Sequence, residues 1–402
     1  MRQIYAIAKA ELRVLFYSPI AWLIMIIFSF QAYSSFAGLV DALTSRQEVS
    51  GFIFDATKRL FTDRAAIYLV IQKNLFLYIP LLTMGLMSRE YSSGSIKLLY
   101  SSPLAGAKII FGKYLSIIVF ALIMMGTIVP TLFFTMVKVE AADITFMLSG
   151  FLGLTLLFFA YAAIGLYMST LSSYQVVVAM LTLGVLALFN NIGSIGQNYD
   201  TIRDITHWLS LEGRADKFLE GLITSADIIY FLVFIGVFIS LSIIKLYSDK
   251  TSTNRERIIA RYASVLIVAS LVAYVSSIPK LTLYYDASQV KANTLTDNTR
   301  NILEKVEGKV KMTTYVNMAD YNFFMGIPST MNRDKDKFYD LKRFLPKLKM
   351  DYVYYYDEPL NNFDYVAGVT APEDIARQIC NSVEINFDKI YTPKEIKDII
   401  DL

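Results

Sequence analysis

Ser88-Arg89-Glu90-Tyr91-Ser92-Ser93-Gly94-Ser95-Ile96-Lys97-Leu98-Leu99-Tyr100-Ser101-Ser102-Pro103-Leu104 is a short polar and amphipathic segment caught between two long apolar runs. It decides the fold because helices of about 20 apolar residues cross a hydrocarbon core roughly 30 Å thick, and the runs on either side reach that length. Of the 402 residues 55% are hydrophobic and 18% charged, far more apolar than a soluble protein of this size needs. The chain reads as an integral membrane protein, and residues 88–104 as a turn outside the bilayer. The net charge of +3 is unremarkable, and no nucleic-acid partner is expected.

Working outward, the run before the turn, about Tyr68–Met87, is the second of the expected spans. It contains Gln72, Lys73 and Asn74, and Lys73 lies close enough to one end to snorkel. The first span covers about Ile20–Leu43, and Arg46–Arg64 is a mixed-charge connector. Residues 1–17 form an amphipathic interfacial helix, with Ile4, Tyr5, Ala8, Leu12, Leu15 and Phe16 at helical spacing and Arg2, Lys9 and Arg13 opposite. Glu11 and the full spanning length behind it argue against a signal peptide.

After the turn come a third span, about Lys108–Val137 with a kink expected at Pro130, and a fourth, about Ile144–Met168. The connector Ser169–Tyr174 is so short that the fifth span, about Gln175–Ile192, must be the fourth's antiparallel neighbour. Gly193–Ser225 reads as an amphipathic re-entrant or surface segment, Asp227–Tyr247 as the sixth span and Tyr262–Ile278 as the seventh, ending at Pro279. The alternative is six spans, with Tyr262–Ile278 buried in a soluble domain.

Beyond Lys280 charged residues become dense. Leu281–Tyr285, Lys309–Val316 and Asp351–Tyr356 read as strands and Thr294–Gly308 as a helix, N-capped by Thr296 or Asp297 and C-capped by Gly308. Strand, helix, strand implies a parallel pair. Of the tyrosines at 352, 354, 355 and 356, half are expected in a core. The fold class is therefore an all-α polytopic membrane domain, six spans plus a seventh, followed by a small α/β domain. The expected division is 1–17, 18–250, 251–279 for a linker and the seventh span, and 280–402.

Lys and Arg in short loops favour the side bearing residues 2–13, 89–113 and 245–261. That side is expected to be cytoplasmic, which puts residues 280–402 in the periplasm or outside the cell. Catalytic and metal-binding signals are lacking. Gly106–Tyr114 approaches a phosphate-binding loop but has one residue too many between its glycines and Tyr114 where a hydroxyl is needed. With one histidine, His207, and one cysteine, Cys380, a His-pair or Cys-cluster metal site is excluded, and no cofactor is expected. His207 reads as a surface or interface residue and Cys380 as a structural thiol.

What remains is the turn. Arg89 and Glu90 end the second span, Gly94 permits a sharp bend, Ile96, Leu98, Leu99 and Leu104 offer a short apolar face, and Pro103 forces a turn. A short amphipathic helix of this kind fits a groove in a partner, and a plain loop is its rival. At Glu90, Gly94-Ser95, Leu98-Leu99 and Pro103 the chain resembles the ABC-2 class of ABC transporter permeases over about residues 1–250. Lys97 stands where that class often carries an acid. More narrowly, it resembles a gliding-motility-type permease subunit, and from Tyr262 on, through Tyr285-Asp286 and Asn293-Thr294-Leu295-Thr296, the start of that system's auxiliary subunit.

The resemblance implies a permease homodimer in the bacterial inner membrane, worked by an ABC ATP-binding subunit in trans. Arg89, Glu90, Gly94, Ile96, Leu98, Leu99 and Pro103 would be the coupling residues. The rival readings are a membrane anchor that displays residues 280–402 to an envelope partner and, further off, a secondary transporter.

Overall fold

The computed structural model describes residues 1–400 except 64, 252, 253, 279, 280, 307, 346, 364 and 367. Arg64, Pro279 and Lys280, which bound the first connector, the seventh span and the soluble domain in the sequence reading, lie outside the described residues. The chain forms two compact units, Met1–Asn190 with Leu211–Asn293, and Asn191–Ser210 with Thr294–Leu402. The division thus falls after residue 293 rather than at 280, and a piece of the segment between spans five and six joins the second unit.

The first unit is a helical bundle. Helix α1 (Arg2–Tyr17) ends at Ser18, and Pro19, which has no N–H to lose at a helix start, opens α2 (Pro19–Ser50). A short α3 (Ala56–Phe61) precedes α4 (Ile67–Thr83), which passes through Met84 into α5 (Gly85–Ser93). After α6 (Ile96–Ser101) come α7 (Gly106–Gly126) and α8 (Val129–Lys138). The third span breaks at Thr127 and Ile128, so Pro130 stands in the first turn of α8 rather than at a kink inside one helix. Helices α9 (Ile144–Ser169) and α10 (Gln175–Asn191) flank the short connector, but α9 packs chiefly on α4, α7 and two later helices, α12 (Leu211–Leu219) and α13 (Ser225–Lys250), rather than along α10, so the close antiparallel pair expected from the connector's length is not formed.

Among the described residues six helical stretches are long and apolar enough to cross a bilayer: Pro19–Ser50, Ile67–Ser93, Gly106–Lys138, Ile144–Ser169, Ser225–Lys250 and Arg255–Ser276. Gln175–Asn191 is a shorter apolar helix. Helix α9 is the hub, and its glycines explain why. A Cβ at Gly150 would lie 2.4 Å from Tyr68, at Gly153 2.4 Å from Phe218 and at Gly165 2.1 Å from Thr83, so neighbouring helices approach where α9 lacks side chains.

Between α10 and the next span, α11 (Asp200–Leu209) belongs to the second unit and α12 (Leu211–Leu219) to the first. Strand β1 (Leu222–Thr224) leads into α13 (Ser225–Lys250), and α14 (Arg255–Ser276) packs along α13. Strand β2 (Tyr284–Asp286) then returns to pair antiparallel with β1, Leu222 opposite Asp286. The strand expected at Leu281–Tyr285 is therefore part of the membrane unit, held by main-chain bonds the short β1 leaves open.

The second unit joins residues 191–210, which follow the fifth apolar helix, to 294–402, which follow α14. Helices α13 and α14, both long and apolar enough to cross a membrane, lie between those two pieces in the chain. In this unit α15 (Asp297–Leu303) is capped by Thr296, whose hydroxyl accepts from the Thr299 N–H. It stops at Leu303, well short of Gly308. Strand β3 (Lys311–Asn317) pairs parallel with β4 (Lys349–Tyr355) across α16 (Pro328–Lys337) and α17 (Tyr339–Phe344).

The core of this unit gathers Val316, Met318, Ala319, Ile327, Ala376, Cys380 and Ile390, with Tyr352, Tyr354 and Tyr356 packed against it. Those tyrosines alternate in the manner of a half-buried strand. Residues 191–210 join through Asn332, which donates to the Arg203 carbonyl at 3.2 Å, and His207, whose ring lies 3.4 Å from Asp336. Helices α18 (Pro372–Ser382) and α19 (Pro393–Ile400) end the described chain.

Candidate functional site

The turn between spans two and three is built by a left-handed glycine. Helix α5 runs to Ser93, whose Oγ donates to the Arg89 carbonyl at 2.8 Å. It ends where Gly94 adopts φ 74°, the C-terminal geometry a residue without Cβ takes at least cost. Helix α6 starts within two residues, and Ser95 Oγ donates to Glu90 Oε2 across the bend.

The apolar face of α6 is divided. Ile96 is buried in the bundle core, and Leu99, Tyr100 and Leu104 pack partly against it. Leu98 points out and is 74% exposed, with Lys97 and Pro103 also exposed. Below the turn, Tyr91 donates to Asp249 at 3.1 Å, and Lys245 holds the same carboxylate at 2.7 Å, so the turn is tied to the end of α13.

Arg89 and Glu90 do not project toward solvent with Leu98. Arg89 Nη2 lies 2.9 Å from Glu11 Oε2, Lys113 Nζ lies 2.5 Å from Glu11 Oε1, and the same Nζ lies 3.1 Å from Glu90 Oε1. Lys113 is 2% exposed, so its ammonium is balanced by the two carboxylates rather than by water. The four charges lace α1, α5 and α7 together at one end of the bundle. Gly112 makes the approach possible: a Cβ there would lie 2.7 Å from Ile7 of α1.

The expected site residues therefore separate into two groups. Arg89 and Glu90 are turned inward as struts, and Ile96 and Leu99 anchor the turn to the core. Gly94 makes the bend, while Leu98 and Pro103 form the exposed surface. Glu11 and Lys113 escaped the sequence reading as site residues. Lys113 figured only in the rejected phosphate loop and in the charge count, and Glu11 only against a signal peptide. Their one common signal was the cost of a charge on an otherwise apolar face.

A second charged knot lies at the opposite end of the bundle. Asp227, in the first turn of α13, is 1% exposed and meets Arg214 at 2.6 Å and Lys217 at 3.8 Å, while Thr224 both donates to its carboxylate and caps its N–H. A carboxylate at a helix N-terminus is favoured by the unpaired N–H groups there. Arg214 also stacks 3.9 Å from the Tyr230 ring. Among the described residues no group of three His, Cys, Asp or Glu side chains is placed to hold a metal ion.

Apolar helices of spanning length around a glycine-lined hub, with charges confined to their ends, define a polytopic helical membrane protein. Residues 5–197 match the family described as ABC-2 family transporter protein, a stretch that begins in α1, takes in the turn at Gly94 and ends just past α10. The match covers a little under half of the chain. No curated protein and no solved structure matches the chain.

Proposed function

We propose that this chain is the permease subunit of an ATP-driven exporter and that a separate ATPase works it through residues 89–104. The observation that carries the reading is the division at the turn: Leu98 is offered to a partner while its neighbours are fastened to three helices. A push on Leu98 and Pro103 travels through Glu90 and Lys113 into α7 and through Arg89 and Glu11 into α1. Rigid ion-paired struts are suited to passing such a motion to the spans.

In this reading two permeases pair with two ATPase subunits. The α5–α6 end faces the cytoplasm, as the excess of Lys and Arg on that side favours. The second unit then lies outside the inner membrane, where an envelope partner has access to it. The order of permease spans, α14 and a strand-helix-strand domain supports a fused gliding-motility-type permease and auxiliary subunit.

Leu98→Asp tests the coupling. Leu98 is exposed, so the variant should fold and insert as wild type, yet bind the purified ATPase subunit at least about tenfold more weakly, the effect expected of losing an apolar anchor. Undiminished binding by Leu98→Asp would refute docking at this turn. If instead residues 1–250 alone support no cellular activity while ATPase loss is harmless, the chain is a membrane anchor for its second unit.

A further inference from the structure

Charge in the second unit is divided between two parts of the chain. Residues 297–311 and 339–351 hold eight Lys and Arg against five Asp and Glu, whereas residues 352–402 hold four against ten. The topology gathers the first group. Strands β3 and β4 are parallel, so the segments that lead into them, from α15 and from α17, meet at one end of the pair.

At that end Lys311 and Lys349 are register partners on neighbouring strands. Like charges set directly opposite one another are destabilising. Here both ammonium groups turn to a single carboxylate, Lys311 at 3.3 Å and Lys349 at 3.2 Å from Asp351, and the two lysine side chains remain 64% and 74% exposed. Lys349, and Lys311 with it, holds that carboxyl below the usual carboxylate range, so Asp351 stays ionised and still balances only one of the two. Lys309 and Lys347, each two residues upstream, are exposed as well. Four lysines therefore crowd the strand starts.

Apolar side chains stand among these cations. Arg300 lies 5.5 Å from the Phe344 ring, which sets α15 beside the end of α17. Just past Arg300, Ile302 is 64% exposed and Val306 40%. Exposed aliphatic side chains between basic ones suit a lipid surface, where the charges meet headgroups and the apolar tips reach toward the acyl boundary. A soluble polyanion would engage the lysines and leave Ile302 and Val306 in water.

We infer that the end of the second unit where β3 and β4 begin is a docking surface for anionic phospholipid headgroups of the bilayer that holds the chain. Lys309, Lys311, Lys347 and Lys349 meet the phosphates, and Ile302 and Val306 enter the headgroup layer. The bilayer is a standing neighbour, because the second unit is joined to the membrane unit at three places in the chain, 190–191, 210–211 and 293–294, and tethering raises the effective concentration of one for the other. The inference needs no ATPase and no assignment of sides, so it stands apart from coupling at the turn.

The test uses the full chain with one added surface thiol, Ile302→Cys, since Cys380 is buried. Labelled with bimane in the native state, it is placed in nanodiscs of phosphatidylcholine and phosphatidylglycerol that carry a nitroxide on some headgroups. Quenching should exceed that of bimane on Phe363→Cys, a fully exposed position in the acidic part of the chain, by at least about threefold, a small part of what four lysines supply at an anionic surface. The excess should vanish when phosphatidylglycerol is left out and in the background Lys309→Glu with Lys347→Glu. Roughly 0.5 M NaCl, which confines charge interactions to a few ångström, should also remove it, a check that does not depend on how the variants fold. Equal quenching at the two positions, or an excess that survives without anionic lipid, would overturn the surface. So would a blue shift of the Ile302→Cys probe on adding inorganic polyphosphate but none in anionic nanodiscs, which would assign the patch to a soluble polyanion.

Discussion

Replacing Lys113 by Met would leave Glu11 and Glu90 facing one another across a site that water hardly reaches. Lys113 Nζ contacts both carboxylates, at 2.5 and 3.1 Å, and its side chain is 2% exposed. Removing one partner of a buried ion pair costs about 3–5 kcal/mol, because the remaining charge is neither solvated nor paired. Arg89 compensates only in part, since it is 36% exposed and its pairing with Glu11 is screened by solvent. The loss should fall on the docking of α1, whose other holds on α7 include the Gly112 contact, the Lys108 hydrogen bond to Gln3 at 2.8 Å and the packing of the Phe16 ring on Phe120. Amide exchange over Tyr5–Leu12, followed in detergent or nanodiscs, should then quicken by about a hundredfold to several thousandfold, at tenfold per 1.4 kcal/mol. Met keeps the volume of the stem, so packing is not the cause. The decisive comparison is the double variant Lys113→Met with Glu90→Gln, which removes the stranded charge and should recover at least about 1 kcal/mol. Additive effects of the two changes, or unchanged exchange in Lys113→Met, would refute the strut.

Two further outcomes follow from particular residues. Gly94→Ala must hold φ 74° with a Cβ and should lower thermal stability by about 1–2 kcal/mol, while Gly94→Asn, which tolerates that region, should lose less; circular dichroism melts compare them. Cys380 lies in the core of the second unit, and burial pushes its thiol up, so the reactive thiolate is scarce as well as covered. Maleimide labelling near pH 7.5 should be more than about tenfold slower in the folded chain than in denaturant, where one pKa unit alone is worth a factor of ten. Fast labelling without denaturant would mean that this core is open.

Much of the fold and part of the candidate site were legible in order along the chain. A helix in hydrocarbon must satisfy its own backbone, so each apolar run of sufficient length announces a span locally, and the runs before and after Gly94 did so. The parallel pair of β3 and β4 was legible in the order strand, helix, strand, and β4 itself in its tyrosines, since a strand writes its two faces into successive residues. The bend at Gly94 and the exposed Leu98 likewise depend on residues within a few positions of each other. Cys380 and His207 fall where their isolation suggested, in a core and beside Asp336.

Contacts between distant residues were decided only by the tertiary structure. Glu11 meets Arg89 across 78 positions and Lys113 across 102, and nothing in the local pattern of any of the three names the others. Without those partners, Arg89 and Glu90 read only as the charged end of the second span, and with them they become struts. The same holds for β1 and β2, three residues each and too short to declare themselves, whose pairing moves residues 281–293 into the membrane unit. Hydropathy and turn chemistry are properties of a segment and survive in the sequence. Pairing of charges and strand edges is a property of where segments meet, and packing around the glycines of α9 and α7 sets that.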